Sequence, residues 1–376
     1  MNAPVGATIL PEEAGGVLTI DLGALAANWR LIRDRGQGAE CGAVVKANAY
    51  GLGIEQAVPA LARAGCRTFF VAHIDEGKRV RAIAPDAVVY ILNGLLPGTA
   101  PVYAAHDLRP VLGSRGEIAE WTSTGGRPAA LHVDTGLNRL GLSCEDALAI
   151  AAEGALTPAL LMTHLASAEE TDNPVNARQR EDFQRVREAF AAVPASFCNS
   201  SGAFLPGDNG FELLRPGYAL YGGNPLPGRA NPMKPVVRLE AHILQLREVP
   251  DGTGVGYNAA WTAKGPRRLA TISLGYADGY PRTASATDAK REAGIEAGVA
   301  LVAGRRCPFA GTISMDLIIL DVSDVPAGAV ARGDRVTLIG DDLTLDEVGR
   351  RAGTIGYEIL TSLGTRYARI YLDDQV

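Results

Sequence analysis

Short apolar runs alternate with helical patterns from about Gly42 to Gly223. The runs cover residues 43–45, 68–72, 87–92, 109–112, 129–133, 159–163 and 195–198, lengths that suit buried strands better than helices. Between the last two, over residues 177–193, Phe183, Val186, Phe190 and Val193 fall on one helical face and read as a core stripe. Strand then helix, repeated seven or eight times in under 200 residues, predicts a parallel sheet, and the repeat number points to a (β/α)₈ barrel of the TIM type. A doubly wound open sheet is the alternative, but no Gly-rich dinucleotide turn follows the first strand.

The texture changes after Gly223. Asn224-Pro225-Leu226-Pro227-Gly228 reads as a boundary, and β-type runs follow at 236–246, 268–274, 299–302, 317–322, 335–339 and 366–372. Helical signal is sparse there; Thr344-Leu345-Asp346-Glu347 is a capping-box pattern leading into 348–352, with a stop at Gly353. The expected organisation is a barrel domain over 1–235 and a mostly β domain over 236–376, with the strand-like 17–21 a candidate member of the second. Polar, Ala-rich residues 283–298 are expected to form an exposed loop.

Composition narrows the function classes. The 376 residues are 47% hydrophobic and 21% charged, as in a globular protein with a full core. A formal net charge of −6 argues against nucleic acid or an anionic membrane as main partner. No apolar run nears the roughly 20 residues that span a bilayer, and residues 1–16 lack the basic and apolar segments of a signal peptide. The five cysteines are scattered and form no CxxC, which suits reduced thiols in the cytoplasm. The five histidines show no ligand spacing, so no metal site is expected.

The most informative segment is Lys46-Ala47-Asn48-Ala49-Tyr50-Gly51, which closes the apolar run Gly42-Ala43-Val44-Val45. Burial disfavours the ammonium form, and a lysine so placed becomes an amine nucleophile able to form a Schiff base. Other polar groups fall where a parallel barrel keeps its active site, at the C-terminal ends of strands. Asp134 to Gly141, containing Arg139, follows strand five; His164 ends strand six; Asn199-Ser200 follows strand seven; Arg215-Pro216-Gly217-Tyr218 lies near strand eight. A serine hydroxyl and loop amides beside a glycine are anion-binding parts.

Val-Val-Lys-Ala-Asn-Ala-Tyr-Gly resembles the pyridoxal phosphate lysine motif of the alanine racemase family, and the resemblance extends from Asp21 to Leu372. It implies a barrel followed by a β domain, pyridoxal 5'-phosphate as cofactor, and a cytoplasmic homodimer that interconverts L- and D-alanine for peptidoglycan. It also implies residue roles. Lys46 carries the cofactor and serves one face of the substrate; Tyr257, in Gly-Val-Gly-Tyr-Asn, comes from the partner subunit and serves the other. Tyr50, Asn199, Ser200, Gly217, Tyr218 and Tyr357 belong with the cofactor phosphate. Arg215 faces the pyridine nitrogen, where a guanidinium leaves the ring unprotonated and a weaker electron sink. Arg139 steadies the cofactor's phenolic oxygen and the substrate carboxylate. His164, in Thr-His-Leu, is the expected partner of Tyr257. Met315, in Ser-Met-Asp, contacts the substrate carboxylate in trans, and Tyr276 narrows the substrate entrance.

The match has departures. His132 stands where many members carry a lysine, Leu52 replaces a histidine, Leu137 a methionine and Ser314 a cysteine. Rival functions are a broader-specificity amino-acid racemase, a basic amino-acid decarboxylase and a non-catalytic carrier of pyridoxal phosphate. Arg215 argues against the decarboxylase, which pairs the ring nitrogen with a carboxylate. The β extension argues against the carrier, which normally stops after the barrel.

Overall fold

The computed structural model describes residues 9–125, 127–207 and 211–373; the first eight residues of the N-terminal stretch assessed above lie outside them. The chain divides into two compact units. One is Leu22–Lys234; the other joins the described residues up to Asp21 with those from Pro235 onward.

The first unit is a parallel ladder in chain order: Ala43–Val44, Thr68–Val71, Val88–Ile91, Arg109–Leu112, Ala130–His132, Leu160–Met162 and Ala195–Ser196. An eighth strand, Leu213–Leu214, pairs in parallel with Glu40–Cys41 at the start of the first. On its other side, Glu212 N–H donates to Ala195 C=O (3.0 Å) and Arg215 N–H to Cys198 C=O (2.9 Å). The ladder therefore closes on itself as an eight-stranded barrel. Its strands are short and apolar throughout, with Phe69, Phe70, Val89, Leu131 and Leu161 fully buried, as expected where helices cover the outer face. The helix Pro174–Ala189 starts at Asn173, whose side chain accepts the Val175 N–H, and buries Phe183 and Val186; Phe190 and Val193, just beyond it, are buried too.

The second unit is built around Val237–Val249. Its first half pairs antiparallel with Gly16–Asp21 and Arg335–Ile339, its second half with Arg267–Ile272. Ala368–Leu372 lies parallel to Gly16–Asp21 on the outer side, and Ile318–Asp321 extends the sheet beyond Arg267–Ile272. Thr344 caps Leu345–Ala352 by accepting the Glu347 N–H, and Gly353 ends that helix at φ 71°. Two elements depart from the sequence reading. A helical turn, Asp288–Glu292, interrupts the expected loop, capped by the Thr287 hydroxyl. Arg305–Pro308 forms a hairpin with Val299–Val302.

All five cysteines are free and buried. Among the described residues no helix is long and apolar enough to cross a membrane, and no group of three His, Cys, Asp or Glu side chains could hold a metal ion.

Candidate active site

Lys46 begins a single turn, Lys46–Tyr50, that leaves the first barrel strand with the opposite hand to an ordinary helix. Ala47, Asn48, Ala49 and Tyr50 have φ of 52°, 56°, 54° and 53°. Ala49 N–H donates to Val45 C=O (2.8 Å) and Gly51 N–H to Ala47 C=O (2.7 Å). Lys46 is half-buried. Burial lowers its pKa, the nearby Arg139 lowers it further, and Glu76 opposes both. Sequence reasoning places Lys46 here but misses the turn, because Ala-Asn-Ala-Tyr has no strong left-handed signal beyond Asn48.

At the ends of strands six to eight sits Arg215, 3% exposed. Its guanidinium donates to Ser196 Oγ (2.5 Å) and to Thr163 C=O (2.5 Å). Thr163 Oγ1 is hydrogen-bonded to Thr135 Oγ1 (2.8 Å), which accepts from Gln179 Nε2 (3.1 Å); the same amide donates to His164 C=O (3.0 Å). Ser196 and Gln179 carry no motif, and Thr163 and Thr135, though inside the Thr-His-Leu and 134–141 segments, are not singled out there as site residues. Ser196 and Thr163 hold the guanidinium by its two Nη atoms, and burial brings its pKa down to about 10, so it stays charged near neutrality.

Two histidines face this cation. Burial and Arg215 push the His164 imidazole down to about 3, and His132, also desolvated and beside Arg215, down to about 4. Both are neutral at pH 7. His164 can therefore act on a phenol only as a neutral hydrogen-bond partner, and Arg215 is the fixed positive charge.

The loop carrying Arg139 is ordered by Asp134, whose Oδ1 accepts the N–H groups of Gly136 (2.9 Å), Leu137 (2.9 Å) and Asn138 (3.1 Å). Asp134 N–H to Leu142 C=O (2.8 Å) and Leu142 N–H to His132 C=O (2.9 Å) close its base. The Arg139 side chain is exposed at its tip, within electrostatic range of Lys46 and both histidines.

An anion cradle lies beside these groups. Ser200 Oγ accepts from Gly217 N–H (2.9 Å) and Ala219 N–H (3.2 Å), which sets the hydroxyl among the amides of the loop that carries Gly217 and Tyr218. Gly217 permits a close approach, since a Cβ there would lie 2.4 Å from Tyr50 Oη. The Tyr50 ring stacks on Tyr221 (centroids 4.6 Å apart), and Tyr221 Oη donates to Val44 C=O (2.9 Å). Asn199 Oδ1 accepts the Gly202 N–H (2.9 Å), holding the loop that presents Ser200. Tyr218 is buried with its ring against Gly223.

The second unit holds Tyr257, Tyr276, Met315 and Tyr357. Tyr257 is 68% exposed, on a turn in which Asn258 and Ala259 have φ of 60° and 46°. With Ser314 and Leu317 it lines a cleft of about 570 Å³. Tyr276 and Met315 sit side by side: Tyr276 N–H donates to Ser314 C=O (3.1 Å) and Ala277 N–H to Met315 C=O (2.9 Å). Asp278, buried, accepts the Gly275 N–H (2.8 Å). Arg366 then links Asp278 Oδ1 (3.2 Å) to Asp316 Oδ1 (2.8 Å), tying the two segments together. Tyr357 lies on the helix Gly356–Ser362, half-buried.

The barrel unit thus gathers Lys46, Tyr50, Arg139, His164, Asn199, Ser200, Arg215, Gly217 and Tyr218 around its strand ends. Lys46, Arg139 and Arg215 meet there beside the two neutral histidines, and the carboxylates acting on this group are few: Asp134 on His132 and Glu76 on Lys46. Such a site fits a multiply anionic ligand, and the Ser200 cradle fits its phosphate. Fold and site together define a barrel enzyme for a phosphorylated, carbonyl-bearing ligand.

Residues 20–225 match the family model for the alanine racemase N-terminal domain and residues 236–371 that for the C-terminal domain. The chain belongs to the alanine racemase family. It is 62% identical to an alanine racemase of Methylobacterium nodulans over 96% of both chains. Among solved structures it resembles the alanine racemase of Bartonella henselae with covalently bound pyridoxal phosphate (39% identity, TM-score 0.88, 96% of this chain and 100% of that one). It also resembles the biosynthetic alanine racemase of Pseudomonas aeruginosa (34% identity, TM-score 0.88, 96% and 100%).

Proposed function

We propose that this protein interconverts L- and D-alanine with pyridoxal 5'-phosphate, as a cytoplasmic homodimer supplying D-alanine for peptidoglycan. The observation that supports the reading is Arg215: a buried guanidinium held by Ser196 and Thr163, the residue that the resemblance sets against the pyridine nitrogen. A decarboxylase would need an acceptor there; this group can only donate.

When bound, the cofactor draws electron density from the alanine Cα–H bond and makes that proton removable. The chain's own groups do the rest. Ser200 Oγ, the Gly217 and Tyr218 amides and the Tyr50 and Tyr357 phenols hold the phosphate, with Asn199 ordering the loop that presents Ser200. Arg139 holds the substrate carboxylate together with the Met315 amide of a second copy. Lys46 Nζ, its pKa lowered by burial and Arg139, is unprotonated more often than a surface lysine and carries the proton to or from one face of Cα, the face of the D-enantiomer. Tyr257 Oη of the second copy serves the opposite face, with His164 as a neutral hydrogen-bond partner. The exposure of Tyr257 and Met315 supports a site completed by another copy of the chain. Tyr276 narrows the way in.

Chiral analysis of L-alanine, L-serine, L-lysine and L-arginine incubated with cofactor-loaded protein tests this. Formation of D-alanine well ahead of the other products is expected. Equal rates on serine would make it a broader racemase, and carbon dioxide release from lysine or arginine would overturn the reading.

A further inference from the structure

Four successive residues without a glycine, Ala47 to Tyr50, hold left-handed backbone angles. Each is unfavourable for an L-residue, so the run persists only where its surroundings over-determine it. Three amides in and just after the turn are satisfied locally: Ala49 N–H by Val45, Gly51 N–H by Ala47 and Gly53 N–H by Asn48. The Asn48 N–H instead reaches out of the turn to Glu76 Oε1 (3.3 Å).

Glu76 is 6% exposed. Its other oxygen, Oε2, accepts the N–H groups of Ala72 (2.9 Å) and His73 (3.2 Å), just past the second barrel strand. One buried carboxylate therefore joins the end of strand two to the turn that leaves strand one. A second tie runs through the Asn48 side chain: its Oδ1 accepts from Ile54 N–H (3.2 Å) and Arg79 Nη2 (2.6 Å). Arg79 in turn forks onto Glu55 with two bonds of 2.8 Å. Glu76 and Arg79 lie three residues apart on the helix Ile74–Ile83, so one helix face grips the turn twice.

We infer that Glu76, assisted by Arg79 through Asn48, is a positioning residue that clamps the left-handed turn and thereby aims Lys46 and Tyr50. Lys46 opens the turn and Tyr50 closes it, so its handedness decides where the amine and the phenol point. Glu76 also faces Lys46 electrostatically, against Arg139 and the neutral His164 on the other elements around that amine. This inference rests on the functional reading above for the meaning of Lys46, but the clamp itself is a property of the backbone.

Glu76→Gln separates the contributions: it removes the charge and puts an NH2 group, which cannot accept, against one set of N–H groups. Amide exchange over residues 46–53 is expected to speed up at least about tenfold in the apoprotein. Capture of pyridoxal phosphate on Lys46, read by borohydride reduction and peptide mass, should slow. With alanine, kcat should fall on the order of 10- to 100-fold with KM little changed, and the acid limb of kcat/KM should move to lower pH, because the carboxylate that favours the ammonium form is gone. Unchanged exchange over 46–53 together with unchanged capture would overturn the clamp. If wild-type protein captures no cofactor on Lys46, the functional reading fails, and amide exchange still decides the clamp. Should E76Q not fold, Asn48→Ala, which removes the acceptor for Ile54 and Arg79, carries the same expectations for exchange and capture.

Discussion

The barrel unit and the β unit treat their polar groups in opposite ways. Around the barrel's strand ends, Arg215, His132 and Ser200 are at least nine-tenths buried, and each sits in a network supplied by its own chain or close against its neighbours' charges. In the β unit, Tyr257 and Met315 are 68% and 53% exposed, and what is ordered there is the backbone beneath them. A buried site works because its dipoles are fixed before the ligand arrives. An exposed phenol and thioether gain the same fixity only when another surface covers them. The barrel therefore presents polar groups that are already fixed, while in the β unit the backbone is fixed and the side chains above it are not.

The sharpest way to break this contrast is Lys46→Ala. It should abolish racemisation, on the order of 10⁴-fold or more, while chiral chromatography and a thermal melt show an inactive but folded protein. Tyr257→Phe comes next. Loss of the phenol should lower turnover on the order of 10²- to 10³-fold, yet shift unfolding by no more than about 0.5 kcal/mol, because nothing in its own unit depends on an exposed hydroxyl. A melt that moved with the activity would show that Tyr257 is a structural group after all.

Acid should find the barrel first. In the unfolded chain both histidines titrate near 6.5, whereas folded His132 and His164 are held near 4 and 3. Between those values the unfolded state binds more protons, so stability is fully present above pH 6.5 and falls as pH drops, by about 1.4 kcal/mol per unit for each histidine. Urea midpoints of the apoprotein between pH 7 and pH 4.5 read this, and His132→Gln should flatten the slope by about half. The smallest effect belongs to the β unit. Arg366→Ala leaves the buried Asp278 without its cation, but the arginine is half-exposed, so only about 1 kcal/mol is expected by chemical denaturation. A loss of several kcal/mol would place a buried, self-contained network in the β unit too.

How far the sequence announced all this depended on the kind of signal. The barrel was legible because apolar runs such as Thr68–Val71 are buried on both faces and leave an unbroken pattern. The eighth strand was expected near Arg215 but no run located it, since Leu213–Leu214 is two residues long and carries no period. The hairpin to Arg305–Pro308 turns on Ala303 and Gly304, both at positive φ, and that pair was the one available hint. Lys46, Ser200 and Arg215 stood at strand ends and could be found by position. Glu76 could not: one glutamate on an amphipathic helix resembles any solvated charge until its neighbours are seen. The left-handed turn was hidden for the same reason, being imposed by partners more than 20 residues away in the chain.

The five cysteines offer a use of their own. Burial raises the thiols of Cys41, Cys66 and Cys144 in the barrel unit and Cys307 in the β unit, Cys66 to about 12 and Cys307 to about 11. An alkylating reagent attacks the thiolate, so modification must wait for the surrounding structure to open. Each unit thereby carries its own internal clock: the rate at which Cys307 is tagged times the breathing of the β sheet, and the rate at Cys66 times that of the barrel. Two peptides in one mass spectrum would tell which half of the molecule lets go first.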